Sequence, residues 1–187
     1  MKRAILLLLL LFVRVVYAQH DHQQHMMAKP EKPFQVIIFM AVDCPITQKY
    51  MGAFKELATN YEAQQITVTG YFPAGLTKKE EKEFRAEYQI PTLIKLVDDK
   101  KGLITAKYSA TITPEVVLID KNQRVIYQGA FDNWFFELGR YRLEVTEHYL
   151  IDAIEAALKG EMPSITKTEA IGCFIQNAAK PSEHQHH

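Results

Sequence analysis

The stretch FQVIIFMAVDCPITQKY, residues 34–50, decides the fold. It opens with FQVIIFM, residues 34–40, in which six apolar residues are interrupted by one glutamine, a pattern typical of a strand buried on both faces. Pro45 follows Cys44, and proline is favoured in the first turn of a helix, where its missing N–H costs nothing. Because Tyr50 begins an apolar series at three- and four-residue spacing, we predict an amphipathic helix to about Glu62.

Strands and helices alternate through the rest of the chain. We predict further strands at 66–71, 94–97, 115–120 and 124–128, and helices at 76–88, 100–110 and 147–159. Thr77 and Glu80 have the spacing of a capping box, Thr146 is the predicted cap of the last helix, and 129–143 is predicted to be irregular. Early strands separated by helices and a late hairpin predict an α/β fold, a mixed central sheet with helices on both faces.

The first residues have the pattern of an export signal. Lys2 and Arg3 precede an apolar run, and residues 16–18 place small side chains at the −3 and −1 positions of a cleavage site. We predict a signal peptide at 1–18 and a periplasmic or secreted protein. A signal anchor is the alternative, but Arg14 interrupts the run and leaves it short for a membrane span.

The charge balance excludes some classes of partner. The chain of 187 residues has 22 basic and 22 acidic side chains, and without the signal peptide 19 basic side chains face 22 acidic ones. A slightly acidic chain without a basic stripe is a poor candidate for binding nucleic acid, and no later apolar run approaches the ~20 residues of a membrane span. We predict one domain at 34–176 between a flexible leader, 19–33, and a flexible tail, 177–187.

Cys44 is the main candidate for chemistry. At the start of a helix, unpaired N–H groups and the helix dipole favour an anion, so a thiolate is stabilised and the cysteine becomes nucleophilic. The preceding Asp43 opposes this effect if its carboxylate is close. The alternative is an inert, buried cysteine that packs as a small apolar side chain.

These features together resemble a known fold. A strand, Cys-Pro at a helix start, Thr-Pro before a strand hairpin and a terminal helix are similar to the thioredoxin fold, and more specifically to exported redoxin domains of the alkyl hydroperoxide reductase/thiol-specific antioxidant group. The matching pieces are FMAVDCPITQKY (39–50), ITPE (112–115), YQG (127–129) and TEAIGCFI (168–175). The resemblance implies a three-layer α/β/α domain, thiol–disulfide chemistry without a prosthetic group or metal, and a redox partner protein or a small thiol or disulfide as substrate.

The resemblance also implies site residues. The Thr113–Pro114 bond should be cis and should face Cys44. A thioredoxin site would have a second cysteine where this chain has Thr47, so a nearby resolving thiol is missing. A peroxiredoxin would have proline and a hydroxyl residue seven and three positions before the cysteine, where Ile37 and Ala41 stand here, and this departure argues against peroxide reduction.

Cys173 is the second cysteine of the chain. Its apolar neighbours predict that this segment packs back on the domain. Cys173 either resolves a mixed disulfide formed at Cys44 or ties the segment down in a permanent disulfide. A third possibility is that both sulfurs are soft metal ligands.

Two alternatives to a redox enzyme follow. One is a copper-binding, metallochaperone-like protein, because Met26, Met27 and six histidines lie in the two tails, at 20, 22, 25, 184, 186 and 187. The other is a non-enzymatic domain with a structural disulfide.

The remaining histidine, His148, is predicted to be a surface residue. Within the aromatic segment 129–139, predicted to cover a sheet edge, Asp132 is the acid that the resemblance places near the site.

Overall fold

The structure, a computed structural model, describes residues 33–176. Its elements in chain order are β1 (Phe34–Phe39), α1 (Pro45–Asn60), β2 (Thr67–Phe72), α2 (Lys78–Tyr88), β3 (Ile94–Asp98), α3 (Leu103–Lys107), β4 (Ile112–Thr113), β5 (Glu115–Asp120), β6 (Val125–Gly129), β7 (Phe135–Glu137), β8 (Arg140–Tyr141), α4 (Tyr149–Leu158) and β9 (Cys173–Phe174). The predicted signal peptide, nearly all of the predicted leader and the predicted tail lie outside the described residues.

The five long strands form one mixed sheet in the order β3-β2-β1-β5-β6. Strands β1, β2 and β3 run parallel, while β5 is antiparallel to both β1 and β6. A parallel half built from strand–helix units and an antiparallel hairpin at the other edge confirm the predicted α/β fold. Strand β1 lies at the centre of the sheet, between β2 and β5, so the residues that follow it extend from a strand that is paired on both edges.

Alternate side chains of β1 face two apolar layers. Val36 and Ile38 join the larger layer, to which α1, α2 and α4 contribute. Ile37 and Phe39 join the smaller layer, which includes Tyr108 directly after α3. Both sides of the strand are therefore buried, as its continuous apolar sequence predicted.

Local signals explain where two of the helices begin. Thr77 and Glu80 form the predicted capping box, with Glu80 N–H donating to Thr77 Oγ1 (3.2 Å) and Thr77 N–H donating to Glu80 Oε2 (2.8 Å). The predicted helix at 100–110 is reduced to α3, because Gly102 precedes it in the left-handed region at φ +66°.

Two predictions after β6 are wrong. The segment expected to be irregular contains the small hairpin β7–β8. Thr146 does not cap α4, which begins at Tyr149. The Thr146 backbone N–H donates to Asn133 Oδ1 (3.0 Å) and the Thr146 hydroxyl accepts from Asn133 Nδ2 (2.7 Å), so Asn133 engages both groups. His148 is the N-cap residue and is exposed.

The C-terminal segment returns to the domain, as predicted from its apolar residues. Backbone bonds join it to β6, since Gln128 N–H donates to Thr166 O (3.0 Å) and Thr168 N–H to Gln128 O (3.1 Å). Strand β9 then pairs antiparallel with β4. Within residues 33–176, no helix is long and apolar enough to cross a membrane.

Candidate active site

The turn from β1 into α1 fixes Cys44. Its backbone N–H donates to Ala41 O (3.3 Å), and its carbonyl accepts from Gln48 N–H (3.0 Å), the first bond of the helix. Cys44 is the N-cap residue with an extended backbone (φ −80°, ψ 114°), and Pro45 takes the first helical position. The Cys44 side chain is only 1% exposed. The helix start therefore holds a buried sulfur beside its unpaired N–H groups.

The surroundings of Cys44 favour the thiolate. Burial raises the pKa of its thiol, but the Cys173 thiol and the backbone N–H and hydroxyl of Thr47, all close enough to donate to a thiolate, lower it by more, with a smaller contribution from the Thr113 side chain. The result is a pKa below the ordinary thiol value. When protonated, Cys44 Sγ donates to Thr113 O at 3.1 Å.

Thr47 lies one helical turn beyond the cysteine. Its side chain is fully buried, and among the described residues its hydroxyl is the buried side-chain oxygen that has no hydrogen-bond partner. Because this hydroxyl is one of the groups that lower the pKa of Cys44, we interpret it as a hydrogen-bond donor to the Cys44 thiolate.

Cys173 lies opposite Thr113 in the β4–β9 ladder, and both cysteines are free thiols. Burial, the Cys44 sulfur and the charge of Asp43 raise the pKa of Cys173 to about 12. Cys44 thus ionises first, and Cys173 keeps its proton at neutral pH. The exposed Asp43 carboxylate, expected to oppose the Cys44 thiolate, acts on Cys173 instead.

Thr113 connects the two cysteines. Its carbonyl accepts from Cys44 Sγ, and its hydroxyl donates to Cys173 O (3.3 Å). The Thr113–Pro114 bond is cis, as the resemblance implied. Of the five predicted site residues, Cys44, Thr113 and Cys173 therefore line one cavity. Thr47 lies beside Cys44, and Pro114 follows Thr113 but does not line the cavity.

A cavity of about 370 Å³ opens over the two cysteines. Residues following β1 and β2 line one side of it, and Thr113 with the last described residues lines the other, the set being Ala41, Asp43, Cys44, Pro73, Ala74, Thr113 and Cys173 to Gln176. Ala41, three residues before Cys44, adds no hydroxyl to this lining. Within residues 33–176, no group of three or more His, Cys, Asp or Glu side chains is placed to hold a metal ion.

A second polar pair lies behind the site. The Tyr50 hydroxyl donates to Asp132 Oδ1, which also accepts from Trp134 N–H (2.8 Å). Burial raises the pKa of Asp132 despite these hydrogen bonds. The rings of Trp134 and Phe135 lie 5.3 and 5.6 Å from Tyr50. The aromatic segment predicted to cover a sheet edge therefore packs around Tyr50 of α1.

Sequence reasoning missed Gly172, which precedes the second cysteine. A side-chain carbon at this position would lie 2.1 Å from Thr113 O and 2.7 Å from Thr113 C, both backbone atoms. Glycine is required here by the close approach of two backbones. The sequence signal for this close approach was the Gly-Cys pair itself. Its partner strand, β4, has only two residues and could not be recognised from the sequence.

The family follows from a comparison with known proteins. A family model, described as the AhpC/TSA family, matches residues 17–128. The match includes Cys44, Thr47, Thr113 and Pro114 and covers more than half of the chain. The chain belongs to the AhpC/TSA family. This match ends before Cys173, so the structure alone brings the second cysteine of this AhpC/TSA domain to the site.

Solved structures show the same fold. A hypothetical protein from Sinorhizobium meliloti 1021 is 25% identical, with a TM-score of 0.66 over 78% of this chain and 80% of that one. An uncharacterized conserved protein from Geobacillus kaustophilus is 22% identical, with a TM-score of 0.66 over 81% and 79%. A candidate thioredoxin from Neisseria meningitidis is 17% identical, with a TM-score of 0.51 over 69% and 77%. No curated protein matches the chain. The fold of this AhpC/TSA domain is thioredoxin-like.

Proposed function

We propose that this AhpC/TSA domain is an exported thiol–disulfide oxidoreductase in which Cys44 is the nucleophile and Cys173 the resolving thiol. The observation that carries the proposal is the pair itself: two free thiols face one cavity, and their pKa values are shifted in opposite directions. Thiols with strongly perturbed pKa values in a cleft mark a candidate functional site, and the thiol with the lowered pKa is the one present as a nucleophilic thiolate. The predicted signal peptide supports export.

The first step is attack by the Cys44 thiolate on a partner disulfide. A bond forms between Cys44 Sγ and one partner sulfur, and the other partner sulfur leaves as a thiolate that takes up a proton. The N–H and hydroxyl of Thr47 hold the thiolate before the attack. Protein and partner are then joined by one mixed disulfide.

The second step releases the partner. Part of the rise in the pKa of Cys173 comes from the negative charge of Cys44. Once Cys44 is in a mixed disulfide that charge is gone, so Cys173 loses its proton more easily and attacks Cys44 Sγ. The second partner thiol leaves, the partner has gained two electrons, and Cys44–Cys173 is a disulfide that an external dithiol must reduce.

The serine variants of the two cysteines test this assignment. Reduced protein is mixed with oxidised glutathione, and intact mass counts the glutathione groups per chain. Cys173→Ser should accumulate one glutathione, because attack occurs and release fails. Cys44→Ser should lose exchange activity and take up none, and the double variant is the control for the remaining surface.

Three results would overturn the assignment. Cys173→Ser turning over at the rate of the wild type removes Cys173 as the resolving thiol. A Cys44–Cys173 disulfide that resists mild reductant would make the pair structural. Stoichiometric binding of Cu(I) that is lost when either cysteine is replaced would favour copper handling.

A further inference from the structure

A buried carboxylate lies beside the smaller apolar layer of the sheet. Glu115 is the first residue of β5 and is only 8% exposed. Because alternate residues of a strand share one face, Glu115 lies on the same side of β5 as Val117 and Ile119, which belong to that layer. A carboxylate therefore stands where the alternation of the strand would place another apolar side chain, and burial of its charge is costly unless the charge is compensated.

Neutral donors hold this carboxylate and leave part of it free. Gln128 Nε2 donates to Glu115 Oε1 (2.6 Å), and Thr111 N–H donates to Glu115 Oε2 (3.2 Å). Gln128 Nε2 also donates to Tyr108 O (2.8 Å), which fixes the orientation of the amide. Each oxygen of an ionised carboxylate has two acceptor positions, so within residues 33–176 one position on each oxygen of Glu115 has no donor.

The described domain supplies no cation to Glu115. None of the ion pairs within residues 33–176 includes this carboxylate. Lys167 lines the same cavity, but its side chain is exposed and forms no ion pair with Glu115. Since buried charges in proteins are normally paired, the arrangement fits a positively charged group that comes from outside the domain.

Glu115 opens onto a cavity of about 990 Å³. Six apolar side chains line this cavity, namely Tyr108, Ile112, Phe136, Leu138, Ile171 and Phe174. The charged lining residues are three glutamates and one lysine, at 115, 137, 169 and 167, and Glu137 is already paired with Arg140. The cavity therefore combines apolar walls with an excess of negative charge, which attracts a cation.

We propose that this cavity binds a guanidinium or primary ammonium group carried on an apolar stem, with Glu115 as its counter-charge. The two free acceptor positions of the carboxylate match the paired N–H donors of a guanidinium, and the apolar walls match the stem. An anion is repelled, and a neutral ligand leaves the charge of Glu115 uncompensated. The site stands apart from the proposed redox function, because neither cysteine lines this cavity.

Matched ligands test the site on the full-length protein. Butylguanidinium, its neutral counterpart butylurea and the anion pentanoate are titrated separately, and NMR shifts of the Glu115 and Gln128 amides report binding. Butylguanidinium should bind about tenfold more tightly than butylurea or better, because a hydrogen bond to a charged partner is stronger than a neutral one. Pentanoate should not bind. Equal affinities for butylguanidinium and butylurea overturn the proposal.

Two variants remove the free negative charge in different ways. Glu115→Gln keeps the size of the side chain and removes its charge, whereas Gln128→Arg places a resident guanidinium beside the carboxylate. Each should weaken the binding of butylguanidinium by about tenfold or more and leave the binding of butylurea nearly unchanged. Glu161→Gln is the matched control, because Glu161 is an exposed glutamate that does not line this cavity.

Thermal unfolding keeps the test independent of how well Glu115→Gln folds. Gln128→Arg should raise the thermal midpoint, because the buried carboxylate gains a paired charge. Wild-type affinity for butylguanidinium in Gln128→Arg overturns the site even if Glu115→Gln fails to fold.

A peptide distinguishes the two sources of such a cation. The tripeptide Gly-Arg-Gly, blocked at both ends, presents the same group as a side chain. Tighter binding of this peptide than of butylguanidinium assigns the site to an arginine of a partner protein, and weaker binding assigns it to a free organic cation. Binding of the peptide that persists in Glu115→Gln overturns the role of the carboxylate with either source.

Discussion

The two cysteines sit in regions of opposite construction. Cys44 follows the central strand, caps a helix of 16 residues and is surrounded by the larger apolar layer. Cys173 lies in a strand of two residues at the surface, next to an exposed Phe174. A nucleophile benefits from fixed donors that stabilise its thiolate, whereas a resolving thiol must make room for the partner it later displaces. The difference teaches that the two cysteines are anchored differently, Cys44 by the central sheet and a long helix and Cys173 by a two-residue ladder.

The largest expected effect comes from a matched pair of phenylalanine truncations. Phe54 is 1% exposed and Phe174 is 78% exposed. Phe54→Ala should lower the free energy of unfolding by about 3–5 kcal/mol, because a buried ring is removed and a cavity is left. Phe174→Ala should change it by less than about 0.5 kcal/mol. Urea denaturation followed by far-UV circular dichroism measures both, and similar losses would show that β9 belongs to the cooperative core.

Thr47→Val should give a smaller effect, confined to the nucleophile. Valine keeps the shape of the side chain but removes the hydroxyl that lowers the pKa of Cys44, so that pKa should rise. The pH at half-maximal alkylation of Cys44 then moves upward, and labelling at neutral pH slows because less thiolate is present.

Stability provides the control for this variant. The Thr47 hydroxyl is buried without a partner, so its removal should leave the free energy of unfolding within about 1 kcal/mol of the wild type or increase it. An unchanged alkylation profile would mean that the Cys173 thiol and the backbone N–H of Thr47 stabilise the thiolate without the hydroxyl.

The two regions also differ in how well sequence predicts them. Around Cys44 the signals are local: an apolar strand, a proline at the helix start and a series of apolar residues at helical spacing fix the element and its position. Cys173 is placed by a pairing across 60 residues between strands of two residues, which are too short to show a period. Thr146 is a similar case. Its local spacing predicted a helix cap, but its hydrogen bonds are with Asn133, 13 residues earlier in the chain.

The smallest effect is expected at Asp43, whose exposed carboxylate helps to raise the pKa of Cys173. Asp43→Asn removes that charge, so the pKa of Cys173 should fall while the labelling profile of Cys44 stays the same. Because the proposed resolving step needs the Cys173 thiolate, decay of the glutathione adduct at neutral pH should accelerate by roughly two- to fivefold, as for other exposed charges. Added salt should reduce the gap between variant and wild type, since it screens the same interaction. If the Cys44 profile shifts instead, Asp43 acts on the nucleophile and the division between the two regions is wrong at this residue.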